Sequence, residues 1–137
     1  MNKRRVVITG LGMVCPVGNN VEDSWKNILN GVSGISLIEN LDTEAQAVKF
    51  GGAVKDLDVS EYLSPKEAKK MDVFIHYGMA AGIQAFEDSG LEVNESNAER
   101  IGVAIGAGIG GISTIEKTAY LLRVKGPKRI SHFFVPS

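Results

Sequence analysis

The sequence predicts an α/β protein whose sheet is covered on both faces by helices. Three observations lead there. Two short runs, RVVIT (residues 5–9) and IGVAI (residues 101–105), are apolar throughout and rich in β-branched residues, which is the pattern of strands buried on both sides. Stretches with helical spacing alternate with the extended ones. Glycine, proline and asparagine punctuate the joins.

Taken in order, Arg5 to Thr9 reads as a buried strand. GLGMVCPVGNN is a loop, because Pro16 and its three glycines spoil a helix. Asn20 caps a helix from Val21 to about Asn30. Val21, Trp25, Ile28 and Leu29 share one face of it, and Gly31 stops it. Ser33 to Val54 holds short extended pieces and turns, with a strand around Lys49 to Val54. Ser64-Pro65-Lys66-Glu67 starts a helix with a capping serine, a proline in the first helical position and a glutamate three residues after the cap. From Asp72 a longer helix runs through DVFIHYGMAAGIQAFEDSG to Gly90. Its middle is apolar on nearly every side, so it is expected to be buried all round, with Gly78 and Gly82 admitting a close neighbour. Each mid-helix glycine costs about 1 kcal/mol relative to alanine, which packing must offset. Ile101 to Ile105 is the second secure strand, and Ile112 to Lys125 the last helix.

The 137 residues are the size of one domain, and such a chain can bury roughly 70% of its unfolded surface. Hydrophobic residues make up 44%, and mean hydropathy is near zero, as in globular proteins that fold in water. The net charge is −1 with no long block of one sign, so electrostatic attraction to nucleic acid or an anionic membrane is not expected. One cysteine excludes an internal disulfide framework and fits a reducing, cytoplasmic setting. MNKRR reaches a strand too soon for a secretion signal. HFFVPS ends on large apolar residues, and a chain interrupted in mid-fold is the expectation.

The richest segment is IGVAIGAGIGG, residues 101–111. A strand that ends in glycines and turns straight into a helix brings bare backbone close to a ligand or to a packed element. Gly106, Gly108 and Gly111 match G-x-G-x-x-G, the dinucleotide loop. The acidic residue expected about 20 positions later is missing, however; the chain there reads KGPKRISHFF. The competing reading is the wall of a hydrophobic substrate pocket. Gly10 and Gly12 fit a nucleotide loop less well, since Cys15 stands where the third glycine belongs and Pro16 blocks a helix. Cys15 sits in an apolar loop with no cation nearby in sequence, and reads as a packed structural thiol. His76 lies within the apolar helix as a core or interface residue. With His132 it makes no metal set, which needs three or four ligands. Ser24, Ser113 and Ser131 lack a nucleophile elbow. Lys66, Lys69 and Lys70 form a basic strip, and Lys128 with Arg129 a second spot. Solvated faces are the ordinary explanation, unless both border one cleft that meets an acidic partner.

Together, VVITGLGMVCPVGNN, SGIS, KKMDVFIHYGMAAGIQAFEDSGL, RIGVAIGAGIGG and ISHFFVPS resemble, in register and from end to end, the β-ketoacyl-[acyl carrier protein] synthases II of bacterial fatty-acid elongation. The resemblance implies a thiolase-like layered α-β-α-β-α fold. Residues 1–137 would be the opening part of its N-terminal half, incomplete and with no second domain. It also implies decarboxylative Claisen condensation by a homodimer, with acyl- and malonyl-loaded acyl carrier protein as partners. No cofactor, metal, nucleic acid or membrane is implied. The family's nucleophilic cysteine lies in a T-A-C-type segment at a helix N-terminus, and two histidines stabilise the enolate. Cys15, His76 and His132 occupy none of these motifs, so no catalytic residue is expected here and the isolated chain is expected to catalyse nothing. Ile109 matches the residue that partly closes the acyl pocket in type II synthases, where type I relatives carry glycine. Phe134 and Val135 match residues a neighbouring subunit lends to that pocket. Lys66, Lys69, Lys70, Lys128 and Arg129 match positions that meet the carrier protein. Two other readings stay open: an NADP-dependent oxidoreductase using Gly106–Gly111, and a non-catalytic carrier-binding module.

Overall fold

A computed structural model describes residues 3–39 and 41–135. They fall into two units, Met1–Asp58 with Ala80–Leu91, and Val59–Met79 with Glu92–Ser137.

In the first unit, Asn20 caps helix α1 (Val21–Leu29), its side chain accepting from the Asp23 amide at 2.8 Å. Gly31, at φ +67°, takes the chain out of the helix in the left-handed region, where a side chain is strained. Strands β1 (Ile35–Leu37) and β2 (Phe50–Gly52) pair antiparallel, Ile35 facing Gly52 and Leu37 facing Phe50. The loop from Gly10 to Asn20 lies between these elements and the later part of helix α3 (Val73–Asp88). A Cβ on Gly10 would stand 2.2 Å from the Ala85 carbonyl oxygen, and one on Gly12 1.9 Å from that of Ala81. The loop amides on either side of Gly12 are also held by the helix. The Leu11 N–H donates to the Asp88 carboxylate at 2.8 Å, and the Met13 N–H to Gln84 Oε1 at 3.1 Å. Gln84 Nε2 donates to the Asn19 carbonyl at 2.7 Å, so one side chain ties both ends of the turn. The loop glycines thus make a close approach of their own, against Ala81 and Ala85.

In the second unit, helix α2 (Pro65–Ala68) starts on a complete capping box between Ser64 and Glu67. The Ser64 hydroxyl bond lowers the Glu67 carboxyl below the ordinary glutamate range. The Ser64 amide and Lys70 act in the same direction and slight desolvation opposes them. Helix α4 (Ile112–Lys125) ends at Gly126, φ +78°. Single turns of tighter helix lie at Val59–Glu61, Ala98–Arg100 and Pro127–Arg129.

Two expectations need correction. Residues 5–9 and 101–105 carry no strand, and most of their side chains face solvent, Val6 being 87% and Val103 86% exposed. A strand is held by its neighbours' amides and carbonyls, and the described residues supply no ladder for either run. Helix α3, expected to be buried all round, has only Ala80 fully covered. Ser24 is the largest side chain that is wholly buried among the described residues. The accessible surface is 11550 Å², where a folded monomer of this mass exposes about 6900 Å².

Candidate functional site

The second unit gathers the glycine loop, both basic spots and the aromatic pair near residue 134. One side of an apolar cavity of about 520 Å³ is formed by Phe74, Tyr77, Gly78 and Met79 from the start of α3, and the other by Ile105, Gly106 and Ala107. The Ile105 side chain rests 3.5 Å from where a Gly78 Cβ would be, an ordinary packing distance. Gly106 and Gly108 have open space around them, and Ile109 is 74% exposed. Ile109 therefore stands on the loop just past the cavity, which it does not line. Gly110 is the one loop residue with a positive φ, +76°, and its Cα faces the Phe74 ring.

A carboxylate sits at the N-terminus of α4. Asp72 Oδ1 accepts from the Val73 amide at 2.6 Å, and Oδ2 accepts from the Thr114 hydroxyl. The same oxygen lies 2.2 Å from the place a Gly111 Cβ would take, so only glycine fits there. Gly111 caps α4 without any side-chain bond of its own. The amides at this helix end are where a dinucleotide pyrophosphate would have to bind. A fixed negative charge there repels phosphate, and the segment before the loop is not a strand. Both facts work against the nucleotide reading of the loop.

Beside this tie is a second, smaller cavity of about 190 Å³. Lys69, Lys70, Asp72, Thr114, Phe133 and Phe134 are among its lining residues. Lys70 Nζ lies 5.1 Å from the centroid of the Phe133 ring, a cation–π distance. Lys69 and Lys70 are thus brought together with Phe134. Lys66, Lys128, Arg129 and Val135 are exposed outside this lining, Val135 at 89%. His76 is half-buried and its Nε2 donates to the Ala68 carbonyl at 2.9 Å, holding the end of α2. His132 lies exposed in the turn after Ser131. Among the described residues no group of three or more His, Cys, Asp or Glu converges to hold a metal. No described helix is long and apolar enough to cross a membrane.

In the first unit, Cys15 bridges to Gly18 through both backbone bonds, and its Sγ is 3.4 Å from the hydroxyl of buried Ser24. Partial burial pushes the thiol up. The Ser24 hydroxyl and the Val17 and Gly18 amides together outweigh that and leave it below its ordinary value. Its neighbours hold the sulfur within a tight turn. Asp72 and Thr114 escaped the sequence reading. They are 42 residues apart, and no local pattern pairs an aspartate before one helix with a threonine in the first turn of another.

The family model for "Beta-ketoacyl synthase, N-terminal domain" matches residues 3–137. The chain is 61% identical over all 137 residues to the 3-oxoacyl-[acyl-carrier-protein] synthase 2 of Vibrio cholerae serotype O1 (strain El Tor Inaba N16961), and 59% to that of Vibrio harveyi. In both cases it spans 33% of the relative's length. Among solved structures, it matches one of a type II PKS acyl-carrier protein in complex with its ketosynthase bound to the hexaketide. There the TM-score is 0.76 at 26% identity, over 97% of this chain and 34% of that one. The ishigamide ketosynthase/chain length factor matches with TM-score 0.76 at 24% identity, over 96% and 33% of the two chains.

Proposed function

This chain belongs to the beta-ketoacyl synthase family through its N-terminal domain, and we propose that it acts as the first third of a 3-oxoacyl-[acyl carrier protein] synthase 2. The observation that carries this reading is the unbroken match of all 137 residues to one third of the Vibrio cholerae synthase. In the reaction, an enzyme cysteine thiolate takes an acyl group from its carrier thioester. Malonyl carrier protein loses carbon dioxide. The resulting carbanion attacks the acyl-enzyme carbonyl and expels the cysteine sulfur, giving a 3-oxoacyl chain two carbons longer. Neither Cys15, which is engaged in its own turn, nor His76, whose Nε2 is committed to Ala68, is disposed for these steps. The 137 residues alone are therefore expected to condense nothing.

Their part is to shape and to dock. The apolar cavity against Ile105–Ala107 forms a wall for a fatty acyl chain, with exposed Ile109 as a plug and with Phe134 and Val135 reaching the pocket of a second subunit. Lys66, Lys69, Lys70, Lys128 and Arg129 meet the acidic carrier protein in the cytoplasm. The exposed runs at residues 5–9 and 101–105 support the layered α-β-α-β-α reading, in which further strands of the same protein cover them. In the full-length protein, Ile109→Phe should depress kcat/KM for long acyl primers well below that for the shortest ones. Unchanged long-chain acylation would overturn the pocket role of Ile109.

A further inference from the structure

We propose that Asp72 is a positioning residue that anchors the Gly106–Gly111 loop and thereby sets acyl-length preference, an inference that rests on the synthase reading above. The loop has one fixed end and one free stretch. A Cβ on Gly106 or Gly108 would meet only open space and Ile109 projects into solvent, so residues 108 and 109 lie clear of the cavity lining that includes Gly106 and Ala107. At residues 110 and 111 the chain is gripped. The Gly110 Cα faces the Phe74 ring, and the Gly111 Cα lies against the Asp72 carboxylate. Phe74 belongs to the first turn of α3, which also walls the apolar cavity, and Asp72 immediately precedes that helix. Helix α4 has no capping side chain at Gly111, and the carboxylate of Asp72, 39 residues upstream, reaches its first turn through the Thr114 hydroxyl, with its charge at the favourable end of the helix. The Thr114 hydroxyl spends its donor on the same carboxylate. Asp72 and Thr114 therefore fix where the free stretch begins its swing, and Ile109 is two residues from the pivot. Loosening that pivot lets Ile109 occupy more positions, which alters how it admits long chains while leaving short ones little affected.

The test uses the full-length protein and measures kcat/KM for a long and a short acyl carrier protein, together with amide exchange across residues 106–112. Asp72→Asn and Thr114→Val should each shift the long-to-short ratio by about fivefold, the scale of one hydrogen bond. Exchange at residues 110–112 should quicken and the melting temperature should change little. Thr114→Ser keeps the donor and should keep the wild-type ratio. The double variant should shift the ratio no further than the larger single change, because both act on the same contact. A wild-type ratio with unaltered exchange in Thr114→Val overturns the anchor, and decides the matter even if Asp72→Asn does not fold. Equal losses on both primers, or equal effects of Thr114→Ser and Thr114→Val, also overturn it. Failure of the synthase reading looks different: the wild-type protein would extend neither primer, while the exchange experiment would still report on the anchor.

Discussion

Replacing Gly12 by alanine should destabilise the first unit by about 3 kcal/mol, and the size follows from the contacts. The new methyl would lie 1.9 Å from the Ala81 carbonyl oxygen and 2.7 Å from the Ala85 amide nitrogen, both backbone atoms of α3 that cannot rotate away. The loop must lift instead. Overpacking of this kind costs about 1–3 kcal/mol. Lifting Gly12 also stretches the bonds on either side of it, Leu11 N–H to Asp88 and Met13 N–H to Gln84. Each is worth about 1 kcal/mol, somewhat more for the charged acceptor. Against these stands a gain of about 0.4–1 kcal/mol from restricting the unfolded chain. Trp25, the single tryptophan, lies on α1 in the same unit and reports its unfolding by fluorescence. The urea midpoint should fall by roughly 2 M for a slope of about 1.5 kcal/mol per molar. Gly51→Ala is the control, since a methyl there meets only the Ile38 side chain at 3.5 Å, and its midpoint should move by less than about 0.5 M. Equal midpoints for Gly12→Ala and Gly51→Ala would refute the close approach as the reason for glycine at position 12.

Three further outcomes are expected. Reversing Lys66 and Lys69 to glutamate in the full-length protein should raise KM for carrier-linked substrates several-fold and leave small thioester mimics nearly unaffected, which steady-state kinetics with both substrates will show. This pair is a cleaner probe than one containing Lys70, whose reversal would also remove its contact with Phe133. Cys15→Ser should leave the condensation rate within about twofold, and Ser24→Ala should raise the Cys15 thiol towards its ordinary value, read from the pH dependence of alkylation. The Glu67 carboxyl titrates below the ordinary glutamate value, so its contribution to α2 is fully present above about pH 4.3 and is lost as pH falls through the lowered folded value. Ser64→Ala should move that titration up towards the ordinary range in a carboxyl-resolved NMR experiment.

What the sequence by itself determined are the features whose causes lie within a few residues of one another. Asn20 with Asp23, and Ser64 with Glu67, make their caps where the spacing put them, and α4 begins and ends at Ile112 and Lys125 as its pattern required. Family membership was legible too, because five segments keep their order and register. What only the tertiary structure decided depends on residues far apart. The apolar runs at 5–9 and 101–105 have the composition of strands, yet a strand exists only beside another, and the described residues set none there. The pairs Gly12 with Ala81 and Asp72 with Gly111 join chain positions 69 and 39 residues apart. Small residues at Ala81 and Ala85, one helical turn apart, are a signal that could have suggested the first contact. For the second there is none, since a carboxylate that meets a helix start so far downstream leaves no periodicity in the chain. Hydrogen bonds within a helix turn are local and can be read along the sequence; packing against a distant backbone is settled only when the chain has folded back on itself.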